Sequence, residues 1–175
     1  MEMHRPPHIY RGDTLYFTTS STVNKARFFD SDEKKNILFD VIHKACERFT
    51  KELSAWTVLD NHYHILVEIQ KGRDVPRLIN NINANSSRLL NNLENSSGRQ
   101  IWYQYFDRCI RNEKDYWRRF NYVHHNCVKH GYANRMEDYQ YSSYRSWAKE
   151  KGIEWMEDVF ASYPIVDFSV EGEVE

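Results

Sequence analysis

Apolar and polar residues alternate from His62 to Ile69, and this pattern is the clearest local signal in the chain. Side chains along a β-strand point alternately to opposite faces, so Tyr63, Ile65, Val67 and Ile69 form one unbroken apolar side that can hold a core. The other side carries His62, His64, Leu66 and Glu68. The spacing elsewhere switches between two periods. Thr14 to Ser20, rich in Thr, Tyr and Phe, reads as a first strand. Ser31 caps a helix with Asp32 and Glu33 in its first turn, and Ile37, Leu38, Val41, Ile42, Ala45 and Phe49 recur at helical spacing. Two strands follow, Ser54 to Leu59 and His62 to Ile69, joined by an Asp60-Asn61 turn.

Gly72 breaks the chain before a second helix, Val75 to Leu93, which accommodates Pro76 in its first turn. The polar run Asn91 to Gly98 is a loop, and Ile101 to Ile110 alternates as a fourth strand. The order β-α-β-β-α-β predicts an α+β protein: a split, ferredoxin- or RRM-like antiparallel sheet with helices packed on one face. An additional helix is expected from Glu113 to His130, ended by Gly131, and then a short aromatic segment, Tyr141 to Trp147, packed on the core.

Composition narrows the class. The 175 residues suit one domain; 41% are hydrophobic and 15% aromatic, too many for a disordered chain. No apolar run approaches the roughly 20 residues that cross a bilayer, and the N-terminus lacks a secretory core, so a cytoplasmic protein with no membrane partner is expected. Cys46, Cys109 and Cys127 have no close pairing, which points to reduced thiols. The net charge of -1 conceals a division: residues 152–175 hold seven acids and no Lys or Arg, leaving +6 on residues 1–151. A basic body suits a phosphate backbone as partner. The expected organisation is one domain over residues 1–150 with a basic N-terminal arm (His4, Arg5, Arg11), and an acidic extension over 151–175.

Candidate chemistry lies on the strand and on the last main helix. His62 and His64 stand roughly 6.6 Å apart along one strand face, close enough for both imidazoles to reach one metal ion. Two nearby histidines are as often ordinary core or surface residues. On the helix, Tyr116, Phe120, Val123 and Cys127 mark a buried stripe. Tyr122 lies off that stripe, on a polar and basic side with Arg118, His125, Asn126 and Lys129. A tyrosine there is either a half-buried surface residue or a nucleophile.

His62-Tyr63-His64 resembles the histidine–hydrophobic–histidine motif of the HUH single-strand nucleases. The segment Ile101 to Glu113, continuing at Tyr122 to Gly131, is similar to the REP-associated tyrosine transposases, relatives of the single-tyrosine HUH transposases of insertion-sequence-200 type. Arg5-Pro6-Pro7 and Tyr141-Ser142-Ser143-Tyr144 also look like that family, so the resemblance spans residues 5–147. It implies that His62 and His64, with Asn126, bind a divalent metal, Mg or Mn, and that Tyr122 is the catalytic nucleophile. It further implies a single-stranded DNA endonuclease and strand transferase that acts beside palindromic hairpins (repetitive extragenic palindromes) through a covalent 5′-phosphotyrosine. The setting would be the bacterial nucleoid, and the protein would act as a monomer or a homodimer. Tyr63 is bulkier than the aliphatic residue usual between the histidines, and Cys127 replaces a proline common after the asparagine.

Arg5, Arg11, Arg108, Arg118, Arg119 and Lys129 are the expected contacts to the DNA backbone. Two other readings fit parts of the pattern. One is a zinc hydrolase, which requires a third strong ligand beyond the histidine pair. The other is a non-catalytic nucleic-acid-binding module on the same split fold.

Overall fold

The computed structural model describes residues 14–166; Arg5 and Arg11 lie outside the described residues. Four strands, β1 (Leu15–Thr22), β2 (Thr50–Val58), β3 (His62–Ile69) and β4 (Trp102–Cys109), form one antiparallel sheet in the order β2-β3-β1-β4. The helices between them are α1 (Asp32–Phe49) and α2 (Val75–Leu93). This is the split β-α-β-β-α-β arrangement that the alternation of periods predicts. Three helices follow: α3 (Glu113–Lys129), α4 (Tyr144–Lys151) and α5 (Ile153–Ser162).

Local chemistry accounts for the element ends. The Ser31 hydroxyl accepts from the Lys34 backbone N–H at the start of α1, and Asn112 Oδ1 accepts from the Asp115 N–H at the start of α3. Gly131, with φ +74°, takes the left-handed conformation just past the C-cap of α3.

The sheet is covered on both faces: α1 and α2 pack on one, as the split pattern predicts, and the additional helix α3 packs on the other. Tyr63, Ile65, Val67 and Ile69 meet Leu38 and Ile42 of α1 and Leu78, Ile79 and Ile82 of α2 in the first core. Phe17, Ala55 and Leu66 on the other face meet Phe120 and Val123 of α3, and Met156 and Val159 of α5 join that second core. Residues 153–162, expected as part of a solvated acidic extension, are thus a helix with two wholly buried apolar residues. Asn121 Nδ2 ties this helix to α3 by donating to the carbonyls of Val159 and Tyr163.

The largest departure from expectation concerns α3. Only part of its polar side faces outward: Arg118, His125 and Lys129 are partly exposed, whereas Arg119, Tyr122 and Asn126 are buried, as are Trp117, Phe120 and His124. Trp117 and Phe120 pack their rings against Trp147 and Trp155 of the α4–α5 layer, while Arg119 and Tyr122 lie over Phe17 of the sheet. A helix enclosed between two layers keeps only a narrow strip toward solvent, at Lys114, Arg118, His125 and Lys129. The single-helix pattern could not show this, because the outer layer comes from residues beyond it.

The aromatic segment at Tyr141 also does more than pack. Tyr141 to Ser143 runs along the outer edge of β2, with Val58 N–H donating to the Tyr141 carbonyl and Ser143 N–H to the Trp56 carbonyl. The Ser143 hydroxyl accepts from Trp56 N–H and lies 2.7 Å from His124 Nε2, so α3 is pinned to β2 at this point. Burial pushes His124 down to about 3.

The β2–β3 turn is held by a buried ion pair. Asp60 lies 2.5 Å from Lys35 Nζ, both side chains nearly inaccessible, and accepts from Arg27 Nε at 2.7 Å. Removing one partner of such a pair leaves the other buried and uncompensated. Asp60→Ala should therefore lower the unfolding free energy by about 3–5 kcal/mol in a urea titration. Acid sensitivity follows from His124. Its folded pKa lies below the unfolded value of about 6.5, so the unfolded chain binds the extra proton and stability falls as pH drops through that value. Between pH 7 and 5 the urea midpoint should fall, by on the order of 2 kcal/mol of stability from this group. His124→Asn should flatten that part of the slope.

Candidate active site

Antiparallel register decides which side chains can meet. Partners directly opposite share a face, which gives two rows across the second face of the sheet: His62–Ser21–Gln104 and His64–Thr19–Phe106. The rings of His62 and His64 are 5.0 Å apart, with Leu66 beyond them in the second core. Helix α3 lies over β2 and β3 and brings Tyr122 down onto this face. The Tyr122 ring is 5.3 Å from the His64 ring and 6.0 Å from that of Phe17. One turn on, Asn126 Oδ1 is 3.0 Å from His62 Nε2. The structure therefore brings together all four residues that the sequence placed in the site.

The outer hydrogen bonds orient both imidazoles. Asn61 donates its amide N–H to the Lys25 carbonyl, so its Oδ1 faces His62 Nδ1 at 2.7 Å and accepts a proton from it. Burial pushes His62 down to about 4, so the ring is neutral at pH 7 and Nε2 holds a lone pair. That lone pair faces Asn126 Oδ1, another acceptor. A cation between them, or a rotated amide, resolves the conflict. His64 is held by Thr19, whose hydroxyl lies 2.6 Å from Nδ1. Its Nε2 is buried without a hydrogen-bond partner, as is Asn126 Nδ2. Burial, reinforced by His62, holds His64 well below the usual histidine value.

Two neutral imidazoles fixed through Nδ1, with Nε2 turned inward beside a carboxamide, form a donor set that fits a metal ion. Among the described residues no three His, Cys, Asp or Glu side chains cluster as metal ligands, so a third donor beside the two imidazoles would be the Asn126 amide. Glu68, on the same strand face, is turned to Lys51 at 3.3 Å and takes no part.

The expected DNA contacts separate. Lys129 Nζ lies 5.5 Å from the centre of the Tyr122 ring, at the site itself. Arg108 and Arg118 line a cavity of about 660 Å³ where β4 meets the start of α3. Arg119 is different. It is wholly buried, its guanidinium 4.8 Å from the Phe17 ring and 3.6 Å from Asp115, so it cannot lie against a DNA backbone and is corrected to an internal cation.

Several residues escaped the sequence. Thr19 and Phe17 come from β1, 45 and more residues from the histidines they touch, and only strand pairing reveals them. His130, whose ring is 4.9 Å from that of His62, belongs to the end of α3. Asn61 was legible in principle, as a turn amide next to the first histidine.

The fold has counterparts among known proteins. A solved structure of a REP-associated tyrosine transposase bound to a REP hairpin superimposes with a TM-score of 0.65 at 22% identity, covering 87% of this chain and 88% of that one. The REP-associated tyrosine transposase of Escherichia coli (strain K12) is 26% identical over 153 residues, 85% of this chain and 88% of its own length. A Haemophilus influenzae relative is 27% identical over 137 residues, 65% of this chain and 74% of that protein. No helix among the described residues is long and apolar enough to cross a membrane. The family described as transposase IS200 like matches residues 15–126, more than half of the sequence and the stretch that contains His62, His64, Tyr122 and Asn126. The chain therefore belongs to the IS200-like transposases, a family of enzymes.

Proposed function

We propose that this enzyme cleaves and rejoins single-stranded DNA beside a hairpin, with Tyr122 as nucleophile and a divalent cation, Mg or Mn, held by His62, His64 and Asn126. The observation that carries the reading is the convergence of the Tyr122 ring with two buried imidazoles whose Nε2 atoms turn inward, that of His62 against Asn126 and that of His64 without a hydrogen-bond partner. A solved relative bound to a REP hairpin supports a DNA hairpin as the substrate of this chain.

Tyr122 Oη forms the new bond to phosphorus, the 3′ oxygen leaves and is protonated to a 3′-hydroxyl, and the phenol proton passes to solvent. The product is a 5′-phosphotyrosine that retains the energy of the broken diester. A second 3′-hydroxyl can attack it, reform a diester and release Tyr122, which distinguishes strand transfer from hydrolysis. A tyrosine hydroxyl is a weak nucleophile near neutral pH. Lys129, 5.5 Å from the ring, places positive charge where phenolate charge develops. When bound, the cation supplies Lewis-acid polarisation of a non-bridging phosphate oxygen. The residues that hold it contribute no negative charge of their own, so its charge remains directed at the phosphate. Thr19 and Asn61 keep both rings in the orientation that exposes Nε2.

Covalent trapping tests the reading. The protein should form a denaturant-resistant adduct with hairpin oligonucleotides copied from the DNA flanking its gene, in the presence of Mg or Mn. The adduct should be absent with Tyr122→Phe and with chelator; an adduct that persists in Tyr122→Phe sinks the assignment. Thr19→Val should raise the cation concentration needed for half-maximal adduct by about 10–100-fold, the usual cost of losing a group that orients a metal-binding histidine. An unchanged cation requirement would mean that Thr19 does not support a metal site.

A further inference from the structure

The second face of the sheet is enclosed unevenly. Tyr141 to Ser143 closes the edge at β2, and α3 covers β2 and β3, where the histidines stand. At the opposite edge, β4 is paired, among the described residues, only with β1. Its residues in the histidine rows are left open: Gln104 and Arg108 are exposed and Phe106 is half-buried. Phe106 lies in the same row as His64, two strands away, roughly 10 Å at the usual spacing between strands. An aromatic ring on an open sheet face, one row-length from a phosphodiester-cleaving site, is a surface on which an unpaired base can stack.

The row leads into charge. Beyond Phe106, the next residue on the same face is Arg108, at the mouth of the cavity of about 660 Å³. Arg111, Lys114 and Arg118 line it as well, against Asp107 and Asp115. Four cations face two carboxylates, an excess that suits a phosphate backbone. Asp115 lies 3.7 Å from Arg108 and 3.6 Å from the buried Arg119, so one carboxylate ties the rim arginine to the interior. Stacking ring and cationic groove thus lie end to end on the uncovered part of the face that carries the histidines.

We propose that this strip, from Gln104 and Phe106 to the groove of Arg108, Arg111, Lys114 and Arg118, is the track for the single-stranded flank of the DNA substrate. Phe106 stacks on an unpaired base, and the groove holds the phosphates that follow. The inference rests on the single-strand nuclease reading above and adds to it the surface that draws the flank across the sheet toward Tyr122. Recognition by a ring face and by phosphate charge carries little base preference.

Fluorescence anisotropy with two probes tests it: the gene-flanking hairpin with its single-stranded flanks, and the same hairpin trimmed of them. Wild-type protein should bind the flanked probe more tightly. Phe106→Leu, which keeps the apolar volume but cannot stack, should weaken flanked binding about tenfold and leave trimmed binding unchanged. Arg118→Ala should reduce the slope of log affinity against log salt by about 0.7 on the flanked probe. Lys44→Ala, an exposed cation on α1 across the sheet, should leave that slope as it is. Thermal melting of each variant checks that it is folded. Wild-type affinity and salt slope in both Phe106→Leu and Arg118→Ala would overturn the track. Adduct formation is read in parallel. A wild-type protein that forms the Tyr122 adduct but binds flanked and trimmed probes alike overturns the track and leaves the nuclease reading standing.

Discussion

The arrangement on which the rest of this structure depends is the seating of the polar side of α3 on a sheet face that carries two histidines. Neither surface would be stable if buried alone: imidazoles, an amide and an arginine all lose water at this junction. The cost is offset by complementarity. His62 and His64 are hydrogen-bonded from outside by Asn61 and Thr19, Arg119 rests on Phe17 beside Asp115, and Asn126 meets His62. At the point where the chemistry is proposed, His64 Nε2 and Asn126 Nδ2 are buried without a hydrogen-bond partner.

Rigidity at that point comes from two directions. The first core, between the sheet and α1–α2, fixes the strand that bears the histidines through its alternate residues Tyr63, Ile65, Val67 and Ile69. The α4–α5 layer presses α3 from behind with Trp147, Trp155, Met156 and Val159. The buried Asp60–Lys35 pair and the His124–Ser143 contact then fix the two ends of the site, the β2–β3 turn and the later part of α3. A nucleophile and a metal-binding pair on separate elements need such support, because displacement of either by about an ångström would separate them.

The same enclosure explains the uneven surface. Among the described residues the face is covered over β2 and β3 and open at β4, the side along which the proposed track runs. The balance of charge follows this division: the cationic groove lies at the open end, whereas Arg119, in the covered half, is internal.

Much of this was legible in the amino-acid sequence. The two periods, the Ser31 cap and the Gly131 stop define the elements to within a few residues, because each signal acts over one or two turns of chain. The pairs His62–His64 and Tyr122–Asn126 were also recoverable, since strand and helix spacing alone put each pair on one face. Local pattern could not say what those faces meet. Helix α3 reads as amphipathic, and only packing shows that Arg119, Tyr122 and Asn126 are buried against the sheet while Trp117 and Phe120 meet the α4–α5 layer. Thr19, Phe17, Phe106 and the internal place of Arg119 were likewise decided by the tertiary structure. Cross-strand register and layer order join residues far apart in the chain, and no periodicity within one element encodes the element opposite.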